Sequence, residues 1–87
     1  MAFTYTAISA TVTAVMDVLP GGAHTRVAIQ NQGNKDVFVN SGTTTPVANN
    51  TCIRIEPTEL YEFPTPVNEQ VNIISSSGTQ ACIGQTS

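Results

Sequence analysis

His24 is the only histidine of this chain, and histidine is the side chain that most readily exchanges protons near neutral pH. In a nucleophilic triad, a histidine lies between a serine and an orienting carboxylate. The sequence has no Gly-x-Ser-x-Gly segment that would present such a serine, and His24 follows Gly21-Gly22, a pair typical of turns. We therefore expect His24 to lie in a solvated loop and to take no part in catalysis.

Three of the six acidic residues, Glu56, Glu59 and Glu62, lie close together in the sequence. Pairs of carboxylates perform general acid and base catalysis in glycoside hydrolases. Such sites also need a cleft and usually aromatic platforms for the sugar, and this chain has no Trp. The spacing favours an acidic rim beside Pro57, which would steer the chain toward a basic partner.

The two cysteines, Cys52 and Cys82, are 30 positions apart. Zinc ribbons and redox pairs need close Cys-x-x-Cys pairs, which the sequence lacks. The alternatives are a disulfide and two buried thiols, and a reducing cytosol favours the thiols. The segment Pro20 to His24 is not followed by the Lys or the helix that a phosphate-binding loop requires. We therefore expect no metal, no cofactor and no catalytic residues, and we expect that the protein is not an enzyme.

The chain carries few charges, since 10% of its 87 residues are charged whereas about 25% is usual. Its net charge is −3, and its three cations, Arg26, Lys35 and Arg54, are too few to neutralise the phosphates of a nucleic acid. No apolar run approaches the roughly 20 residues of a membrane span, and residues 1–6 lack the features of a secretory signal. We expect synthesis in a cytoplasm and no binding to nucleic acid or membrane.

Short runs that alternate apolar and polar residues recur along the chain, separated by Gly, Pro and Asn. This pattern is typical of strands in a sandwich or barrel, and no stretch of ten residues has helical spacing. The fold class is therefore predicted to be all-β: one domain, residues 1–87, forming a small antiparallel β-sandwich or barrel of about eight short strands. The predicted strands are residues 3–8, 11–19, 26–31, 36–41, 52–56, 60–63, 71–75 and 79–83.

Two connections between these strands are short and contain glycine, namely Gln-Gly-Asn-Lys and Ser-Ser-Gly. Alternating runs on both sides of such a connection predict a β-hairpin, whose strands pair within one sheet. One predicted hairpin joins residues 26–31 to 36–41, and the other joins 71–75 to 79–83. Residues 84–87 are expected to fray unless a neighbour holds them.

Four aromatic residues are candidates for a partner interface, because buried aromatic side chains dominate the binding energy of many interfaces. Phe3 and Tyr5 lie in residues 1–10, which are predicted to be an extended N-terminal arm or an edge strand. Phe38 falls on the opposite face of its strand from the neighbouring valines, which fits a second sandwich layer or a partner. Tyr61 fits either the core or an interface.

Five segments follow one another in an order that is unusual in combination. They are Arg26-Val-Ala-Ile-Gln-Asn-Gln-Gly, Val37-Phe-Val, Ile53-Arg-Ile-Glu-Pro, Tyr61-Glu-Phe and Val71-Asn-Ile-Ile-Ser-Ser-Ser-Gly-Thr. Together they resemble small virion proteins of tailed bacteriophages. In those proteins a strand with an arginine and an Ile-Gln-Asn-x-Gly motif precedes a short return strand, an Ile-x-Pro segment and a closing Ile-Ser-Ser-Ser-Gly-Thr hairpin. The resemblance spans residues 26–83 and leaves out the first 20 residues.

The resemblance implies a structural, non-enzymatic role, and most of all that of a capsid decoration (cement) protein. Such proteins are β-folded, bind the outer surface of a phage head, stabilise it and often oligomerise there. The implied partners are the major capsid protein and further copies of the chain, in a virion assembled in the host cytoplasm. The alternative is an adhesive or carbohydrate-binding β-module at the tail, the neck or the fibres. The resemblance implies no catalytic residue.

Overall fold

The computed structural model describes residues 4–19, 24–49, 52–64, 66–67 and 69–87. These residues form seven strands, and no helix among them is long and apolar enough to cross a bilayer. Each strand begins within one residue of a predicted strand. The strands are β1 (Thr4–Ala10), β2 (Val27–Asn31), β3 (Val37–Ser41), β4 (Ile53–Ile55), β5 (Leu60–Glu62), β6 (Val71–Ser75) and β7 (Gln80–Thr86).

The strands form two antiparallel sheets that face each other. One sheet has the order β1-β7-β2-β5, and the other has the order β4-β3-β6. Alternate side chains of each strand point toward the facing sheet, so both sheets contribute to one core. The buried core residues are Ile8, Ala10, Leu19, Val27, Ile29, Val37, Val39, Ile55, Val67, Val71, Ile73 and Cys82. The predicted all-β sandwich is confirmed.

Residues 11–19, which are predicted to be a strand, run beside β6 without forming a regular ladder. Val15 and Ile73 exchange two backbone hydrogen bonds of 2.8 and 2.9 Å, and Val18 donates a third bond to β6. Asp17 lies beside Val18 and has a φ of 55°, in the left-handed region that interrupts an extended chain. The prediction of a regular strand is wrong, although the segment occupies the place of one.

With residues 11–19 counted, the second sheet has the order 11–19, β6, β3, β4. Among the described elements, only β3 and β4 are consecutive along the chain and also paired with each other. Every other connection passes from one sheet to the facing sheet. This arrangement of four elements in each sheet is that of a jelly roll, which leaves each sheet with two edges.

Both predicted hairpins are wrong. β2 belongs to the four-stranded sheet and β3 to the three-stranded sheet, and β7 and β6 are divided in the same way. The short glycine-bearing connections therefore carry the chain between sheets. A connection of this length fits either a hairpin within one sheet or a crossing between two sheets. Side chains at the adjoining strand ends stabilise the crossing.

Asn31 ends β2 at a position whose side chain points into the sandwich, where it is fully buried. Its amide nitrogen donates to the carbonyl oxygens of Lys35 (2.7 Å) and Ile55 (3.0 Å), and its Oδ1 accepts from the N–H of Gly33 (2.9 Å). These bonds satisfy backbone groups that would pair with a neighbouring strand in a hairpin. The amide of Asn31 thus stabilises the crossing from β2 to β3.

Gln80 has the corresponding place at the start of β7 and is also buried. Its Oε1 accepts from the N–H groups of Asn34 (2.8 Å) and Lys35 (3.3 Å), and its Nε2 donates to the carbonyl of Ser77 (2.8 Å). The side chain therefore joins the two crossings at one end of the sandwich. Gly33 is required beside it, because a Cβ there would collide with the amide of Gln80.

Asn72 is a third fully buried amide, on the outer face of β6. Its Nδ2 donates to the carbonyl of Gly42 (2.9 Å) and to Oδ1 of Asn40 (2.8 Å), and its Oδ1 accepts from the N–H of Asp17 (3.1 Å). Residues 11–19 and the loop that follows β3 are thereby held on opposite sides of the same strand.

Residues 4–10 and 84–87, at the two ends of the described chain, are both held by the four-stranded sheet. Residues 84–86 lie in β7 and pair with both β1 and β2, and Ser87 exchanges backbone hydrogen bonds with Arg26. Residues 84–87 were expected to fray unless a neighbour held them, and these strands hold them. For Thr4–Ala10, the structure shows an edge strand, which was one of the two predicted alternatives.

We expect Asn31→Ala to lower the free energy of unfolding by about 2–4 kcal/mol, because it leaves buried donors and acceptors of the crossing unpaired. The melting temperature should fall by roughly 10–20 °C. Gln32→Ala is the matched control: Gln32 is the exposed neighbour, and its loss should cost less than about 0.5 kcal/mol. Chemical denaturation of both variants checks this, and equal losses would contradict a special role for Asn31.

Candidate partner interface

Two of the four sheet edges are short and interrupted. β5 is three residues long, carries the exposed Glu62 and lies between Pro57 and Pro64. β4 is also three residues long, and its central residue is the exposed Arg54. Short strands, charges and prolines all discourage pairing with another chain. These edges are poor sites for strand addition.

The edge formed by residues 11–19 is irregular. Asp17 has a left-handed backbone, and its N–H is bonded to Asn72. A strand needs an extended row of backbone groups to pair with a neighbour, and this segment offers none across Asp17.

β1 forms the fourth edge and differs from the other three. It is seven residues long, Thr-Tyr-Thr-Ala-Ile-Ser-Ala, with no charged residue and no proline. Among the described strands it pairs only with β7, so its opposite side presents backbone donors and acceptors. Tyr5, Ala7 and Ser9 share its exposed face. We call the unpaired side of Thr4–Ala10 the β1 edge.

A shallow groove of about 180 Å³ runs along the β1 edge. Its lining is mostly apolar and consists of Ala7, Ile8, Ser9, Val15 and Val18. Three of the five most exposed large apolar side chains of the described residues also belong to β1 or to residues 11–19: Tyr5 at 65%, Val12 at 59% and Met16 at 36%. Exposed apolar surface of this kind marks interaction sites.

The four aromatic residues predicted to form an interface do not come together. Tyr5 is exposed on the β1 edge, whereas Phe38 is only 8% exposed on the other sheet. Tyr61 is half-buried on β5, with its ring 5.2 Å from that of Phe63 in an edge-to-face contact. Phe3 lies outside the described residues. Of the three that are described, Tyr5 has the exposure that an interface residue needs.

Phe38 lies at the bottom of a depression on the outer face of the three-stranded sheet. The depression encloses about 390 Å³ and is lined by Phe38, Asn49, Cys52 and Arg54. Arg54 is a loosely held cation, since its Nε is 3.9 Å from Oδ2 of Asp36. The depression combines the aromatic ring of Phe38 with the amide of Asn49 and the guanidinium of Arg54, and such polar groups orient small ligands.

The acidic residues Glu56, Glu59 and Glu62 are all exposed, and two of them have structural contacts. Glu62 forms a 2.7 Å ion pair with Arg26, and Oε1 of Glu59 accepts a 2.8 Å hydrogen bond from the N–H of Glu56. The pair with Arg26 is half-exposed on both sides, so it contributes little to stability.

His24 differs from the predicted solvated histidine. It is half-buried, exchanges backbone hydrogen bonds of 2.8 and 2.9 Å with Val67, and its Nε2 is shielded from solvent. The pairing with Val67 was not visible in the sequence because the two residues are far apart along the chain. Among the residues that the structure describes, no group of three His, Cys, Asp or Glu side chains could hold a metal ion.

Both cysteines are free thiols, which resolves the alternative that the sequence left open. Cys52 is half-buried in the depression, and Cys82 is buried in the core. Burial raises the pKa of Cys82 from 9.0 to about 11, and a hydrogen bond from the backbone of Gln32 partly opposes this rise.

The sequence indicated an N-terminal arm or edge strand with Phe3 and Tyr5 as contact residues, but it did not indicate the groove that Val15 and Val18 complete. The sequence carried no signal that separates β1 from the inner strands, because β2, β3, β6 and β7 also lack charge and proline, and only the strand order places β1 at an edge.

No protein-family model, curated protein or solved structure matches the chain closely enough to show a relationship. The geometry of the chain itself therefore carries the functional argument.

We expect the stability of the protein to fall between about pH 9 and pH 11, because the Cys82 thiol loses its proton earlier in the unfolded chain than in the fold. Below pH 9 this contribution is fully present, and its loss across the window amounts to roughly 2–3 kcal/mol. Denaturation curves at pH 8 and pH 10.5 measure the change. Cys82→Ala should show a smaller loss between the two pH values, and an equal loss would contradict the assignment to Cys82.

Proposed function

We propose that this chain is a non-enzymatic structural protein of a phage virion, and that it decorates the outer surface of the head by contact with the major capsid protein. The observation that carries the proposal is the uncharged β1 edge beside an apolar groove, in a sandwich whose other edges discourage pairing. The resemblance of residues 26–83 to small virion proteins supplies the biological setting.

An edge of this kind is suited to assembly. Strand addition uses backbone hydrogen bonds for affinity and neighbouring side-chain pockets for specificity. β1 offers both, since the groove lies along the same strand. In an isolated soluble protein such an edge is a liability, because it invites unintended association. Its presence favours a protein that works inside a larger assembly.

The scarcity of charge supports the same role. With 10% charged residues, little of the surface has to lose a strongly bound hydration shell when it contacts a neighbour. The small size of the chain is not an obstacle, because contact between copies makes binding multivalent and a modest affinity per copy is then sufficient.

The direct test is to count copies of the chain in purified particles of the phage that encodes it, by quantitative mass spectrometry against the major capsid protein. Decoration predicts a copy number comparable with the number of capsid subunits or capsomers. A handful of copies would overturn decoration in favour of a tail, neck or fibre location, and complete absence would overturn a virion role.

The same particles test the β1 edge. Shells that lack the chain are mixed with purified protein and sedimented. Ala7→Lys, which places a charge on the edge, should reduce the bound amount at least about tenfold, since a charge removed from water without a partner is costly. Thr43→Lys, an identical charge change in the exposed loop after β3, should bind like the unmodified chain.

A second candidate is an adhesive β-module that binds carbohydrate, and the depression over Phe38 favours it. The hollow has the volume of a small-ligand site, and Arg54 and Asn49 fit the hydroxyl or carboxylate groups of an acidic sugar. We expect binding to acidic glycans on an array in this case, with at least about a tenfold loss for Arg54→Ala and no loss for the control Lys35→Ala. If the protein binds no glycan on the array, this candidate is ruled out.

A further inference from the structure

We infer that the β1 edge pairs with the β1 edge of a second copy of this chain, antiparallel, about a two-fold axis through Ala7. The inference rests on the proposed role of this edge as an assembly contact and names its occupant: the edge joins two copies, and the shell meets the resulting dimer at two contacts. It turns two four-stranded sheets into one continuous sheet across a dimer.

The length of β1 fixes where the axis lies. An axis through Ala7, the middle residue of Thr4–Ala10, brings all seven residues of both strands into register. An axis through Thr6 or Ile8 leaves two residues of each strand unpaired. Because antiparallel pairing keeps side chains of opposed residues on the same face, Tyr5 then lies opposite the partner's Ser9, and Ala7 lies opposite the partner's Ala7.

The exposed side chains fit this pairing. At the axis, where the two copies come closest, the residue is Ala7, which is small enough to face its own copy. The large ring of Tyr5 faces the small hydroxymethyl group of the partner's Ser9, so no two bulky groups compete for the same place. Tyr5 is 65% exposed in the single chain, and the pairing places its ring beside the partner's Ser9 on the outer face of the joined sheet.

Charge also favours a second copy over other occupants. The β1 edge has no charged side chain that would select an acidic or a basic peptide. The net charge of −3 is small, and self-pairing through an uncharged strand brings no like charges into direct opposition. The other described edges could not serve as well, because β4 and β5 are three residues long and residues 11–19 are irregular.

Disulfide trapping tests the register. In a Cys52→Ser background, Ala7→Cys places two thiols on residues that face each other across the axis, at a Cα separation of about 4.5–5.5 Å. This separation lies within the range that a disulfide spans, so mild oxidation should give a covalent dimer. Ser9→Cys is the matched control: Ser9 is also exposed on the same strand but faces the partner's Tyr5, so oxidation should give no covalent dimer.

Charge pairs test the contact without cross-linking. Light scattering at about 100 µM, where a micromolar dimer is almost fully formed, should give the unmodified chain twice its mass of 9.2 kDa. Tyr5→Lys combined with Ser9→Lys opposes like charges across the axis and should give monomer. Tyr5→Lys combined with Ser9→Glu opposes unlike charges and should restore the dimer.

A monomeric unmodified chain overturns the inference, as does identical behaviour of the two charge variants or cross-linking at position 9 in place of position 7. Circular dichroism of each variant confirms that the sandwich is intact. These measurements use the isolated chain, whereas the copy number in particles does not depend on dimerisation. Failure of the dimer and failure of the virion role are therefore distinguishable.

Discussion

The whole architecture depends on satisfying backbone polar groups where the chain crosses from one sheet to the other. A hairpin meets this need with ladder bonds between its own strands, but a crossing gives those bonds up, and each buried unpaired group costs about 1–3 kcal/mol. Asn31 and Gln80 replace the missing bonds with amide side chains at adjoining strand ends. Asn72 does the same for residues 11–19. Asn31 and Gln80 thus stabilise the crossings from β2 to β3 and from β6 to β7, and Asn72 holds residues 11–19 against β6.

Local structure was predictable from the sequence, and pairing was not. Alternation of apolar and polar residues located all seven strands, because the side-chain period of a strand is a local property. The two glycine-bearing turns were taken as hairpins because turn residues describe the bend and not the sheet to which the next strand belongs. A usable signal did exist: Asn31 continues the inward row of Val27 and Ile29, and a polar residue there indicates a corner. Residues 11–19 alternate well, but Asp17 interrupts them.

The candidate interface was only partly accessible to sequence reasoning. Tyr5 was identified as a contact residue, and the structure leaves it exposed on an edge. Phe38 and Tyr61 were grouped with it because aromatic residues favour interfaces, yet burial depends on what the rest of the chain places over them. Which strand becomes an edge is decided by the order of pairing across both sheets. The sequence left open whether residues 1–10 form an arm or an edge strand, and the position of β7 between β1 and β2 makes Thr4–Ala10 the edge.

The central place of β7 has a consequence for biosynthesis. The ribosome makes β1 first of the described strands and β7 last, yet β7 is the strand that joins β1 to β2. At about 5–20 residues per second, β1 waits on the order of ten seconds for its neighbour. Closing so long a loop is also entropically costly, which slows folding. During translation β1 therefore lacks its strand partner until the end of synthesis, and the four-stranded sheet is completed only when β7 joins β1 to the β2–β5 pair.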